Sequence, residues 1–382
     1  MNATDVTTEL SDEELLRLVE SSMGTNHVYE AYKLEKIKKL AEDLNLETLN
    51  TSTGYIENDY LSVAVGSDGR FTMGTTGGSP SNPLDDNKIL LYGHPNPSTS
   101  FTTIRIDGED HYFVATDITV DQSKKEIIST QTIGDVLIKQ IITFSVNSTT
   151  NRADIANVRY ELTNNGDANL AVGTRIMLDT MLGNNDGAPF RVPGIGEVLH
   201  ERELVGSQVP QYWQAFDNLE NPSVVANGTF YRSLYDRPDK VQFAYWGDIY
   251  GTQWDYEVSS DKLVTWDSAV AIYHNPKPIT PGETRVVNSY YGIGDFAISD
   301  TDPPLSIRVT APLEMSVDSA SRNYFSNPFT ITGYVRNIGT ETTRNTTASL
   351  ELPAQSGLTI LAPQDKNISL GDLEVGQEKV VY

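Results

Sequence analysis

Two long apolar-rich runs constrain this chain more than any other feature. Val136-Leu-Ile-Lys-Gln-Ile-Ile-Thr-Phe-Ser-Val146 and Ala156-Asn-Val-Arg-Tyr-Glu-Leu-Thr163 read as long strands, and Asn164-Asn-Gly-Asp167 closes the second with turn chemistry. Tyr60-Leu-Ser-Val-Ala-Val65 alternates at period 2. Phe101-Thr-Thr-Ile-Arg-Ile106 meets Asp107-Gly108, a hairpin dipeptide, and then His111-Tyr-Phe-Val114. Ala171 to Leu178, Val241 to Trp246, Val270 to Tyr273 and Thr284 to Tyr291 continue the rhythm. Helices do not alternate with these strands, so a parallel doubly wound sheet is excluded in favour of a large antiparallel sandwich.

The sustained helical pattern lies at 11–48. Ser11-Asp-Glu-Glu14 is a capping box, and Leu34, Ile37, Leu40, Ala41 and Leu44 form an apolar stripe. The expected organisation is a helical N-terminal arm at 1–52, a large antiparallel β-sandwich at 53–299, a linker at 300–304 (Asp300-Thr-Asp-Pro-Pro304) and a smaller β unit at 305–382. The fold class is therefore mainly β. The chain stops at Glu378-Lys-Val-Val-Tyr382, which reads as mid-strand, so the last unit is expected to be truncated.

Composition narrows the partners. Lys and Arg number 28 against 52 Asp and Glu, a formal net charge of -24, which disfavours nucleic acid and anionic lipid. The absence of Cys removes disulfides, thiolate metal sites and cysteine nucleophiles, and fits an extracellular or cell-surface protein. No apolar stretch is long enough to span a bilayer as a helix, and no leader pattern stands at the N-terminus.

Two candidate sites follow from local chemistry. In Arg175-Ile-Met-Leu-Asp-Thr-Met-Leu-Gly-Asn-Asn-Asp186, a strand delivers Asp179 and a turn offers Asn184 and Asp186. Clustered oxygens suit Ca²⁺, and the same residues also suit a plain tight turn. The chain's four Trp all fall between 212 and 266. From this stretch Trp213, Tyr245, Trp246, Tyr250 and Trp254, with Asp248 and Arg237, are expected to bind a sugar by ring stacking and hydrogen bonding, or else to fill a core. His94 and His274 end loops or strands from which either could act as a general acid.

Two resemblances add to this reading. Phe329-Thr-Ile-Thr-Gly-Tyr-Val-Arg-Asn-Ile-Gly339, Leu350-Glu-Leu-Pro353, Gly357-Leu358 and Leu370-Gly-Asp-Leu373 resemble bacterial cell-adhesion-related immunoglobulin-like modules, which implies a C-terminal immunoglobulin-like β-sandwich acting as a spacer. Glu57-Asn-Asp-Tyr60 with Gly69-Arg-Phe71, and Val158-Arg-Tyr-Glu-Leu-Thr-Asn-Asn-Gly166 with Ala171-Val-Gly-Thr-Arg175, resemble the galactose-mutarotase-like β-supersandwich. That superfamily uses a His acid and a Glu base; no such pair stands out here, so its activity is not carried over. The expected function is a non-catalytic carbohydrate-binding or adhesion protein whose partner is a polysaccharide or cell-surface glycan. The alternatives are a carbohydrate-active enzyme on the same scaffold and a self-assembling subunit of a surface layer or filament.

Overall fold

The computed structural model describes residues 32–39 and 52–382, apart from 81, 148–149, 151, 193–194, 221, 233–235, 294–296, 299–304, 313–314, 316, 318–321, 323, 325–326, 338–341 and 353–355. The capping box at 11–14 and the linker at 300–304 lie outside the described residues. The molecule is mainly β, and its strand pairs are antiparallel.

Two sheets build the body. The larger has nine strands in the spatial order Gly196–Val198, Phe190–Val192, Tyr212–Phe216, Val225–Thr229, Thr284–Ile293, Ile155–Asn164, Val136–Ser145, Glu126–Ile133 and Asp117–Asp121. The second has six, in the order Arg202–Val205, Lys240–Tyr245, Ser268–Ile279, Leu170–Thr180, Phe101–Ile106 and Glu109–Tyr112. A three-stranded sheet, Ser52–Glu57, Leu61–Gly66 and Phe71–Thr75, flanks them.

Alternation places one face of each large sheet in a shared core. Ile138, Ile142, Val158, Tyr160 and Leu162 from the nine-stranded sheet meet Ile104, Val172, Ile176, Leu178, Val241, Phe243, Val270 and Ile272 from the six-stranded one. The hairpin at Asp107-Gly108 forms where its chemistry demands: both residues have positive φ, 48° and 93°, and Ile106 pairs with Glu109.

The six-stranded sheet is buried on its other face too. Phe101, Met177, Ala244, Ala269, Ala271 and Tyr273 point that way and form a second core with Trp246, Ile249, Tyr250 and Trp254. Ile37 joins that core from a helix spanning 32–39. Of the predicted helical arm, this helix is the part within the described residues.

At the C-terminal end, Ala297–Ile298, Leu305–Thr310, Thr332–Asn337 and Glu378–Val381 form a four-stranded sheet, with Thr343–Ser349 and Asn367–Leu373 as a pair beside it. They share a small core of Leu305, Val335, Leu370 and Leu373. The strand in this stretch is Thr343–Ser349, just before Leu350-Glu-Leu352. Among the described residues this makes six paired strands, one fewer than a constant-type immunoglobulin sandwich. The unit is tied to the nine-stranded sheet. Tyr212 Oη donates to Thr310 O at 3.2 Å, and Arg191 is ion-paired with Glu378. The Arg308 guanidinium lies 4.6 Å from the Phe216 ring centroid and 4.2 Å from that of Tyr334.

Candidate functional site

The predicted sugar-binding rings are core. Trp213 sits between the two large sheets, near-parallel to Tyr291 at 5.4 Å and Phe230 at 5.9 Å, with Phe190 and Phe243 edge-on. Trp246 and Tyr250 contact each other at 4.2 Å on the outer face of the six-stranded sheet, and Trp254 stands edge-on to Tyr273. Tyr245 packs edge-on against Trp266. All five rings are buried, so they are closed to a stacked sugar in this conformation. The two polar residues expected with them are engaged elsewhere. Asp248 is ion-paired with Lys262, and Arg237 Nη2 donates to Tyr231 Oη at 3.3 Å. The aromatic density of 212–266 reflects a sheet that must be covered on both faces.

Of the three oxygen-bearing residues expected to cluster, the structure brings two together. Asp179, near the end of its strand, and Asp186, just past the turn, do face one another. The third member is Asp267, not Asn184, which is exposed on the turn. Backbone pairing brings Asp267 there: Thr180 and Ser268 are register partners, and Ser268 N donates to Asp186 O at 2.9 Å. Asn185 braces the turn by accepting from Gly187 N at 3.0 Å and donating to Asp217 O at 2.8 Å.

An ammonium group occupies the middle of the cluster. Lys33 Nζ, on the 32–39 helix, lies 3.0 Å from Asp179 Oδ2, 3.0 Å from Asp186 Oδ2 and 2.9 Å from Asp267 Oδ2. The Tyr92 and Trp246 rings flank it, at 3.7 and 4.5 Å from nitrogen to centroid. Lys33, Asp179 and Asp267 are wholly buried. Burial alone would lower the Lys33 pKa; the charges of Asp179, Asp186 and Asp267 outweigh it and hold it well above the ordinary value. Burial pushes the Asp179 carboxyl up, against the pull of Lys33. No local sequence signal links Lys33 or Asp267 to the Asp179–Asp186 pair.

An open cleft of about 620 Å³ lies between the three-stranded sheet and the 87–96 loop. Tyr55, Glu57, Asn87, Lys88, His94 and Asn96 are among the residues that line it. Tyr55 and Glu57 project from one face of their strand, and Tyr55 Oη donates to Glu57 Oε2 at 2.8 Å. The Tyr55 side chain is 37% exposed, so its ring is reachable. His94 Nε2 lies 2.9 Å from Ser62 Oγ, and burial pushes its pKa down to about 4, which makes it neutral near pH 7. Gly74 makes room for it: a Cβ there would sit 2.5 Å from His94 Cδ2. His94 is thus placed at a cleft, as its loop position allowed, but its hydrogen-bond partner is a hydroxyl. His274 is buried in its strand and does not line this cleft.

No protein-family model and no curated protein sequence matches this chain. Solved structures similar to it include a galactose mutarotase related enzyme from Lactobacillus acidophilus, at 7% identity over 63% of this chain and 97% of that one, TM-score 0.36. A galactose mutarotase-like protein from Lactobacillus casei aligns at 9% identity over 63% of this chain and 99% of that one, TM-score 0.38. A polysaccharide lyase aligns at 11% identity over 85% of this chain and 43% of that one, TM-score 0.34. At these values the likenesses carry no weight for activity or ligand.

Proposed function

We propose that the chain is a carbohydrate-binding protein and that the cleft at Tyr55, Glu57, Lys88 and His94 is its binding site. One observation carries the reading: the exposed Tyr55 ring and the Glu57 carboxylate it bonds share a cleft of about 620 Å³ that Asn87, Lys88 and Asn96 also line. A sugar offers an apolar C–H face for the Tyr55 ring, and vicinal hydroxyls for Glu57, Lys88, Asn87 and Asn96. The volume is within the usual range for small-ligand pockets, about 300 to 1,000 Å³. The reading is one of binding, and no catalytic step is assigned to His94, whose Nε2 meets Ser62 Oγ at 2.9 Å. The setting is proposed to be extracellular or at the cell surface, with a polysaccharide or surface glycan as partner; the acidic, Cys-free composition supports this. Among the described residues, no helix is long and apolar enough to cross a membrane.

The test is calorimetric titration of mono- and oligosaccharides from a broad panel, followed by Tyr55→Ala and Lys88→Ala. Loss of a stacking ring or a charged hydrogen bond should weaken binding about tenfold or more. Absence of binding across the panel, or binding that both variants retain unchanged, would overturn the assignment.

A further inference from the structure

We propose that a small oxyanion, of the sulfate or phosphate kind, binds between the C-terminal unit and the body, on the Nε–Nη2 edge of Arg308, with Arg336 and Gln214 beside it. The site shares no residue with the sugar cleft and does not depend on that reading.

Sheet register builds the place. Arg308 stands opposite Tyr334 and Arg336 opposite Glu378, so these four side chains share one face of the C-terminal sheet. In the body, Tyr212, Gln214 and Phe216 alternate onto one face of their strand. Tyr212 reaches Thr310 and Phe216 meets Arg308, so that face looks at the C-terminal unit, and Gln214 lies between the two contacts.

Two deeply buried polar groups meet here with donors that nothing accepts. Arg308 is 3% exposed, and its Nε and Nη2 have no hydrogen-bond partner among the described residues. Gln214 is 1% exposed, and neither atom of its amide has one. Folded proteins rarely leave such groups so, because their desolvation is not repaid. Nε and Nη2 form the fork that takes two oxygens of one anion, as Arg105 does with Asp110 at 2.6 and 2.8 Å. Glu378 does not fill that role for Arg308. Its Oε2 lies 3.8 Å from Nη2, beyond a hydrogen bond, and its Oε1 is ion-paired with Arg191. Arg336 adds a third guanidinium, and its Nε also lacks a hydrogen-bond partner. Burial pulls the Arg308 pKa down to about 10, against Glu378 and together with the charges of Arg191 and Arg336, so the group stays charged near pH 7. An oxyanion accepts from both arms of the fork and offsets guanidinium charge at once, which a water molecule does not.

The test titrates the full chain with sulfate, and separately with phosphate, by calorimetry in chloride of matched ionic strength. The wild type should bind one ion saturably. Arg308→Lys keeps the charge but lacks the fork, and should bind the ion about tenfold more weakly or worse. Gln214→Leu removes the amide at similar volume and should weaken binding about threefold or more; it decides where Arg308→Lys does not fold. A wild type that binds neither ion saturably overturns the proposal. Binding that a folded Arg308→Lys, or in its place Gln214→Leu, retains unchanged overturns it too, because the ion then sits elsewhere.

Discussion

Replacing Gly228 by Ala tests whether Trp213 is locked in the sandwich core. A Cβ at 228 would stand 2.2 Å from Trp213 Cε2 and Nε1, and 2.5 Å from Cζ2. Ordinary carbon contacts are about 3.5 Å or longer, so the indole would have to retreat by more than about 1 Å. It has nowhere to go: Phe190, Phe230, Phe243 and Tyr291 box it in, all with ring centroids between 5.4 and 5.9 Å away. Gly228 does not need a positive φ, so the cost is overpacking alone. Such insertions cost about 1 to 3 kcal/mol, and this one belongs at the upper end. Trp213→Phe alone empties part of the box and should cost about 2 kcal/mol. Combined, the smaller ring makes room for the new methyl, so the double variant should recover at least about 1 kcal/mol relative to the sum. The assay is urea unfolding followed by far-ultraviolet circular dichroism, with all four proteins measured together. A Gly228→Ala midpoint equal to wild type would refute the reasoning, and so would strict additivity. Either would mean that the ring is free to move, as a ligand-facing tryptophan would be.

Two further outcomes follow. His274 is fully buried, and burial, helped by Arg285 and Lys277, pushes its pKa down to about 3. The folded state then binds fewer protons than the unfolded state between about pH 6.5 and pH 3, so stability falls as pH drops through that window, by about 1.4 kcal/mol per unit from this group. Subtracting the stability–pH curve of a folded His274→Gln variant from that of the wild type should isolate this slope; parallel curves would contradict it. Glu378→Gln removes the carboxylate that faces Arg191 and Arg308 between the C-terminal sheet and the body. Stranding buried guanidinium charge should cost about 3 to 5 kcal/mol and show in calorimetry as earlier melting of the C-terminal unit, whereas an unchanged thermogram would show that the contact is dispensable.

Where the sequence could be read, the reason was local. Asp107-Gly108 dictates its own backbone, and the runs at 136–146 and 156–163 became strands at Val136–Ser145 and Ile155–Asn164. The Trp and Tyr residues at 246–254 misled because a ring that covers a sheet and a ring that binds a sugar have the same composition. A corrective signal was present in Ser268-Ala-Val-Ala-Ile-Tyr273, a run with almost no polar side chain, which marks a strand buried on both faces. Asp179 and Asp186 could be paired because one strand end and one turn carry both. Asp267 and Lys33 arrive through sheet register and helix docking, which no spacing rule encodes. The Ser62–His94 contact arises in the same way, across 32 residues of chain.

The six-stranded sheet has interior strands of 11 and 12 residues, Leu170–Thr180 and Ser268–Ile279, yet it ends on strands of only four, Glu109–Tyr112 and Arg202–Val205. A second copy approaching either border would find few backbone groups to pair with, and at one border acidic side chains as well. At physiological salt, charges are felt over about 8 Å, beyond the spacing of about 4.8 Å between paired strands; at 1 M that reach shrinks to about 3 Å. Brine would therefore remove the electrostatic guard while leaving the geometric one in place. Assembly of many copies by continuous extension of the six-stranded sheet is closed at these two borders.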